Sequence, residues 1–257
     1  MTAPRSYGLK SAPLSVGRMF FGAAAVLLGA IALIWHDSAT WQILQQIWKL
    51  PAGSTIGAFL MAALVAGGIA IQHPRSARPA AVVLCIVFAC FSLACVPDFV
   101  AASNPFERFG GSFFQMLSML CGALALYAAM EGNSARARIF GRTARLGLGL
   151  CAISFALSQA LFLRPTAALV PKWIPPGQMF WAIVTTIAFA LSAVALLIHF
   201  QARLAARMMA LMLALFGVLV WFPHLVADRR AHFVWSEFAL TMLIAGAAWM
   251  VADLQSR

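Results

Sequence analysis

Glu237 is the one acidic side chain of this chain that lies clearly within an apolar stretch. A carboxylate at membrane depth is costly and often functional. His224 ends the preceding apolar stretch, and the connection between the two is short, so both fall at the same membrane face. A His–Glu pair beneath an apolar cap relays protons or holds a quinone carbonyl by hydrogen bonds. Trp221 and Trp235 would wall such a pocket, because indole rings suit both a membrane interface and a flat ligand. Trp173 and Gln178 border it from the proline-rich segment 170–178. The plainer reading has Glu237 reach the outer headgroups alone.

Other chemistry-bearing residues give weaker patterns. His73 and His199 sit at corresponding ends of two apolar stretches, where a facing pair would ligate haem, but interfacial histidines near lipid phosphates are the stronger reading. His36 and His232 read as ordinary outer-loop residues. Cys85, Cys90 and Cys95 recur every five residues, a step of about 140° on a helix, so they fan around it and serve packing rather than thiol chemistry. The five cysteines contain no CxxC pair, which argues against a zinc site or a disulfide framework. Gln115, Ser118, Ser154, Ser158 and Gln159 either hydrogen-bond between helices or, for the two glutamines, line a central cavity. No nucleotide loop, HExxH or nucleophile motif is present, so neither a catalytic residue nor a metal site is expected.

These residues are carried by an apolar scaffold. The 257 residues are 63% hydrophobic and 10% charged, with a mean hydropathy of +0.90, too few charges to surface a soluble domain. The formal charge of +11 does not mark a nucleic-acid binder, because the basic residues stand singly or in small groups at the ends of apolar stretches. Eight such stretches occur, at 19–35, 55–72, 80–97, 112–130, 146–163, 178–199, 204–222 and 234–252. Each suits a helix crossing a core of about 30 Å at about 1.5 Å per residue. The first reads as a retained span rather than a signal peptide. Only Gln201, Arg203 and Arg207 punctuate the run between spans 6 and 7, so a tight turn belongs there. An all-α polytopic membrane protein of about eight spans is expected, with lipid as its first partner and no nucleic acid.

Arg and Lys set the orientation. Lys10, Arg5, Arg18, Arg75, Arg78, Arg136, Arg138, Arg142, Arg145, Arg203, Arg207 and Arg257 fall on one side. Lys49, Arg108, Arg164, Lys172, Arg229 and Arg230 fall on the other. That bias of 12 to 6 places both termini in the cytoplasm of a bacterial inner membrane. Trp41, Trp48 and Trp173 mark segments 38–50 and 165–177 as caps on the outer surface.

The two halves share punctuation. Arg18 and Gly22 match Arg145 and Gly149; Trp48, Pro51 and Gly53 match Trp173, Pro175 and Gly177. Arg75, Pro97 and Ser112 match Arg203, Pro223 and Ser236, at offsets from 124 to 128. Two four-helix units are expected, 1–133 and 134–257, in parallel orientation.

An Arg opening the first span of a unit, followed by small residues (Arg18, Gly22, Gly29; again Arg145, Gly149, Ala156), resembles the DoxX-like superfamily of four-helix membrane proteins. So does Val170-Pro171-Lys172-Trp173-Ile174-Pro175 leading into span 6. The resemblance is clearest over 145–252; where that family tends to place a glycine and a polar residue, span 6 carries Thr185 and Thr186. Some relatives are subunits of quinone-linked sulfur oxidation or partners in oxidant defence. The resemblance therefore implies a redox accessory subunit with quinone as ligand and other membrane redox subunits as partners. A small-solute transporter with a pathway between the halves, or a structural subunit, are the competing readings.

Overall fold

The computed structural model describes residues 15–104 and 111–255. Lys10, Arg5, Arg108 and Arg257, which entered the charge bias, lie outside the described residues. The chain is an all-α membrane protein with eight helices long and apolar enough to span a bilayer. They are α1 (Val16–Trp35), α2 (Gly53–Ala70), α3 (Ala77–Ala94, continued by Val96–Ala101) and α4 (Ser112–Met130). The second four are α5 (Ser134–Leu161), α6 (Gln178–Ile198), α7 (Ala202–Phe216, continued to Ala227) and α8 (His232–Leu254).

Local chemistry sets the ends. Ser15 caps α1 by accepting from the Arg18 N–H at 3.2 Å, and Asn133 caps α5 by accepting from Ala135 and Arg136. That cap starts α5 well before the apolar stretch at 146. At 28 residues α5 is about 42 Å long, more than a bilayer core needs. Its first turns carry exposed Arg136, Arg138 and Arg142. The turn between α6 and α7 is tight, as expected, with His199 and Gln201 both left-handed at φ 60° and 49°. In α7 a π-helical turn, Gly217–Trp221, precedes Pro223. Pro223 has no N–H to give the turn before it and its ring crowds that turn, so a local widening accommodates it.

The order of packing is legible from the neighbours. α1 packs on α2, α2 on α3 and α3 on α4; likewise α5 packs on α6, α6 on α7 and α7 on α8. The halves meet where α1 lies on α8, α5 on α4, and α4 on α8. At the α4–α8 crossing a Cβ on Gly122 would lie 2.5 Å from the Ala247 Cβ, so only glycine allows that approach. Gly22 permits a similar crossing, since a Cβ there would come 2.6 Å from the Gly68 carbonyl. Arg18 is buried in the first turn of α1 and Arg145 near the middle of α5. Arg145 Nη1 donates to the carbonyls of Leu196 and Leu197, satisfying the end of α6.

On the face opposite the start of α1 and the end of α8, short segments cover the bundle. Gln42–Leu44 is a 3₁₀ turn followed by the helix Gln45–Trp48, and Leu163–Leu169 is the corresponding helix of the second half. Trp41 is buried, donates from Nε1 to the Ala32 carbonyl at 2.6 Å and stacks on Trp48 at 5.0 Å. Trp173 is instead 73% exposed, so its ring faces outward from the second cap.

Candidate functional site

His224 and Glu237 each have another partner. His224 is exposed, and its Nδ1 donates to the Val220 carbonyl, at 2.6 Å, one turn earlier in its own helix. Glu237 is half-buried and accepts from Gln42 Nε2 at 2.9 Å. Among the described residues no hydrogen bond joins the two. Trp221 lies 6.5 Å from the His224 ring, while Trp235 donates from Nε1 to the Arg229 carbonyl at 3.1 Å and meets Trp35 edge-on. The proline segment closes on itself. Gln178 Nε2 donates to the Val170 carbonyl at 2.5 Å, and Trp181 Nε1 donates to that of Pro175 at 3.0 Å.

The histidine that does meet an acid is His232, which reads from sequence as an ordinary loop residue. Its Nδ1 bonds to Asp37 Oδ2 across 195 residues of chain, and its ring stacks on Trp35 with centroids 4.1 Å apart. Burial alone would raise the Asp37 pKa. The bonds from His232, the Thr40 N–H and the Thr40 hydroxyl outweigh it and hold the carboxyl below its ordinary value. Together the Asp37–His232 and Gln42–Glu237 bonds tie the first half to α8 at the face where α1 ends and α8 begins. No sequence signal short of knowing that α1 neighbours α8 would have paired these residues.

A cavity of about 170 Å³ lies among α4 to α8. Phe155, Phe189 and Phe216 give it flat apolar walls, with Leu213 and Ile244 beside them. Gln115, Ser158, Gln159 and Thr241 also line it. This is the arrangement that the two glutamines allowed: Gln115 stands one turn into α4 and Gln159 near the end of α5, so both reach the same depth. Thr185 and Thr186 on α6 hold one end of the Gln159 amide. Aromatic walls with a few convergent polar groups form the usual pattern of a small-molecule site, and the volume, smaller than a drug-sized pocket, is enough for one ring. The π-helical turn of α7 begins right after Phe216, and such turns recur at functional sites.

A second hollow of about 220 Å³ lies beneath the first cap, lined by Gln42, Gln45, Gln46, Asp98, Phe99 and Phe113 among others. Gln46 donates to Asp98 there, and Lys49 donates to Gln46 at 3.1 Å. Its own side chains thus pair most of its polar groups.

On the face where α1 begins and α8 ends, Glu131 accepts from Tyr127 Oη at 2.6 Å and from Arg78 at 3.0 and 3.2 Å. The Tyr127 bond leads, the Asn133 N–H and the Arg78 charge add to it, and the carboxyl is held down at about 2.

Compared with protein-family models, with curated proteins and with solved structures, the chain matches none.

Proposed function

We propose that this chain is a membrane binding protein for a small hydrophobic molecule carrying a flat, oxygen-bearing ring, of the quinone type, held in the cavity among α4 to α8. The observation that carries this reading is the cavity itself, where three phenylalanines and two amides converge at membrane depth. The role is that of an accessory subunit in membrane redox or stress defence, working beside other membrane redox subunits, as the DoxX-like resemblance implies. The tandem of two four-helix units belongs to the same reading. It is supported by the recurrence in the second half of each helix–helix neighbour pair of the first. So is an inner-membrane location with cytoplasmic termini, by the exposed arginines at the start of α5. The transporter alternative draws no support from the α4–α8 seam, which Gly122 and Ala247 close tightly.

The test is solvent extraction of the purified protein and mass spectrometry of what it carries. A ring-bearing lipid should be retained by the parent and lost from a variant with Gln115→Leu, Ser158→Ile and Thr241→Met. Equal retention by both, with the variant folded, would remove the cavity as the site.

A further inference from the structure

The end of the Gln159 amide that faces α6 lies 3.3 Å from Thr185 Oγ1 and 3.2 Å from Thr186 Oγ1, and is placed there as the carbonyl oxygen Oε1. Each threonine hydroxyl has one proton to give. Thr186 has a closer acceptor in the Ala182 carbonyl at 2.7 Å, and Thr185 has one in the Trp181 carbonyl at 2.9 Å. With both protons spent on their own helix, the two hydroxyls turn lone pairs toward Gln159. A carbonyl oxygen facing two lone-pair oxygens is repelled, whereas an NH₂ group has one proton for each. The two ends of an amide have nearly the same shape, so the hydrogen-bond network decides which points where. Here it places Nε2 on the threonines and Oε1 on the side of the cavity that Gln159 lines.

Resting on the reading that this cavity holds a ring-bearing ligand, we infer that it recognises a ring hydroxyl, as in a phenol or hydroquinone, through the Gln159 carbonyl. It discriminates against the same ring with no proton to donate. The other polar groups do not set this sign. The Ser158 and Thr241 hydroxyls rotate to donate or accept, and a glutamine such as Gln115 offers both functions. Gln159 alone has its amide fixed from behind, by two threonines of another helix. A fixed acceptor facing a ligand without a donor is left unpaired, which is how sites built on hydrogen bonds reject analogues lacking the group.

The experiment uses the full chain in phospholipid nanodiscs and equilibrium dialysis, with protein-free nanodiscs correcting for partition into lipid. The probes are para-cresol, its methyl ether, and duroquinone, a ring whose oxygens only accept. Para-cresol should bind about tenfold more tightly than either, the effect of one hydrogen bond. Gln159→Met should bring cresol down to the level of its ether while the ether itself still binds. Thr185→Val with Thr186→Val, which frees the amide to turn, should also erase the preference, and it decides the matter if the Met variant does not fold. Rings that bind with no preference for the hydroxyl, or with duroquinone ahead, overturn the inference and leave the cavity as a ring site. If none of the three binds above the protein-free control, the ring-site reading itself falls and the inference falls with it.

Discussion

The two halves of the molecule treat the same place in opposite ways. Among the residues lining the cavity are Phe155, Ser158 and Gln159 on α5, Phe189 on α6, Leu213 and Phe216 on α7, Thr241 on α8 and Gln115 on α4. Their counterparts, at offsets of 125 to 128, are Leu28, Ile31, Ala32, Met61, Phe88, Phe91, Met116 and Leu240. All eight of these are buried in the apolar core. The Trp41 indole seals the spot further, bonded to the Ala32 carbonyl and packed where a Gly57 Cβ would come 2.4 Å from its ring. In the second half Gln159 and Thr185 stand where Ala32 and Gly57 stand in the first, no tryptophan stands at the position of Trp41, and Trp173, the counterpart of Trp48, points outward. On the proposed reading of a repeated unit, the same position is filled in one copy and hollow in the other. Polar side chains at membrane depth are tolerated where they face a cavity or one another, which is consistent with the hollow position being the one proposed above to hold a ligand.

Breaking the filled copy should give the largest effect. Trp41→Ala removes the biggest fully buried side chain and the bond to the Ala32 carbonyl. A cost of about 3–5 kcal/mol follows, mainly from lost packing and the cavity left behind. Thermal unfolding in detergent should drop sharply, with no change in ligand retained by the second half. If stability is unaltered, Trp41 does not hold the first half closed.

Filling the hollow copy is the converse experiment. Gln115→Leu, Ser158→Ile and Thr241→Met install the counterparts that fill the packed copy, Leu240, Ile31 and Met116. Ligand binding should fall below detection, while melting temperature holds or rises by a few degrees, since each swap removes a polar group from an apolar site. Binding that survives would mean that the two copies do not differ in the way their linings imply.

How far the sequence spoke to this contrast depends on the kind of signal. Hydropathy marked all eight spans, because a bilayer forces long apolar runs whatever the helices do to one another. The tight turn at His199–Gln201 was legible for the same reason: a bilayer has no place for one helix of that length. Glu237 and the pair Gln115 and Gln159 stood out as polar residues in apolar runs, and the structure puts the two glutamines in one cavity. Their partners were not legible. Gln42 reaches Glu237, and His232 reaches Asp37, across 195 positions, and those contacts exist only because α1 docks on α8. His224 drew attention by chain proximity to Glu237, yet one turn of its own helix supplies its bond. The π-helical turn left a faint trace, a shift in offset between the halves from 125 at Phe91 and Phe216 to 126 at Pro97 and Pro223.

Two ties between the halves sharpen the comparison at smaller cost. Replacing Glu237 with Leu strands the Gln42 amide, which is half-buried and then lacks its acceptor. A loss of about 1–2 kcal/mol is expected, and Glu237→Gln, which keeps an acceptor oxygen, should recover most of it. Asp37→Asn weakens the bond to His232, but those side chains are 37% and 33% exposed, so solvent screens them. Its effect should stay under about 1 kcal/mol. A larger loss from Asp37→Asn than from Glu237→Leu would reverse the assignment of the main tie.

The smallest effect lies on the opposite face and is read by pH. Glu131 is held at about 2, below its ordinary 4.5, by Tyr127 first and then by the Asn133 N–H and Arg78. A carboxylate whose folded pKa is depressed adds stability at pH values above its unfolded pKa and loses that contribution as pH falls toward the folded value. The window is therefore between about 4.5 and 2. Arg78 stays charged throughout, so the change tracks the carboxylate alone. The Arg78–Glu131 bridge links the start of α3 to the end of α4 within the first half, and the Glu131 side chain is only 4% exposed while Arg78 is half in solvent. Acid should thus loosen the α3–α4 end without touching the cavity of the second half. Hydrogen exchange of the 128–136 backbone amides, compared at neutral pH and in that acid window, should show faster opening in acid. Glu131→Gln should show the acid rate at neutral pH and no further change on acidification. If acid instead loosens α5 and α6 first, the carboxylate is not what pins this end.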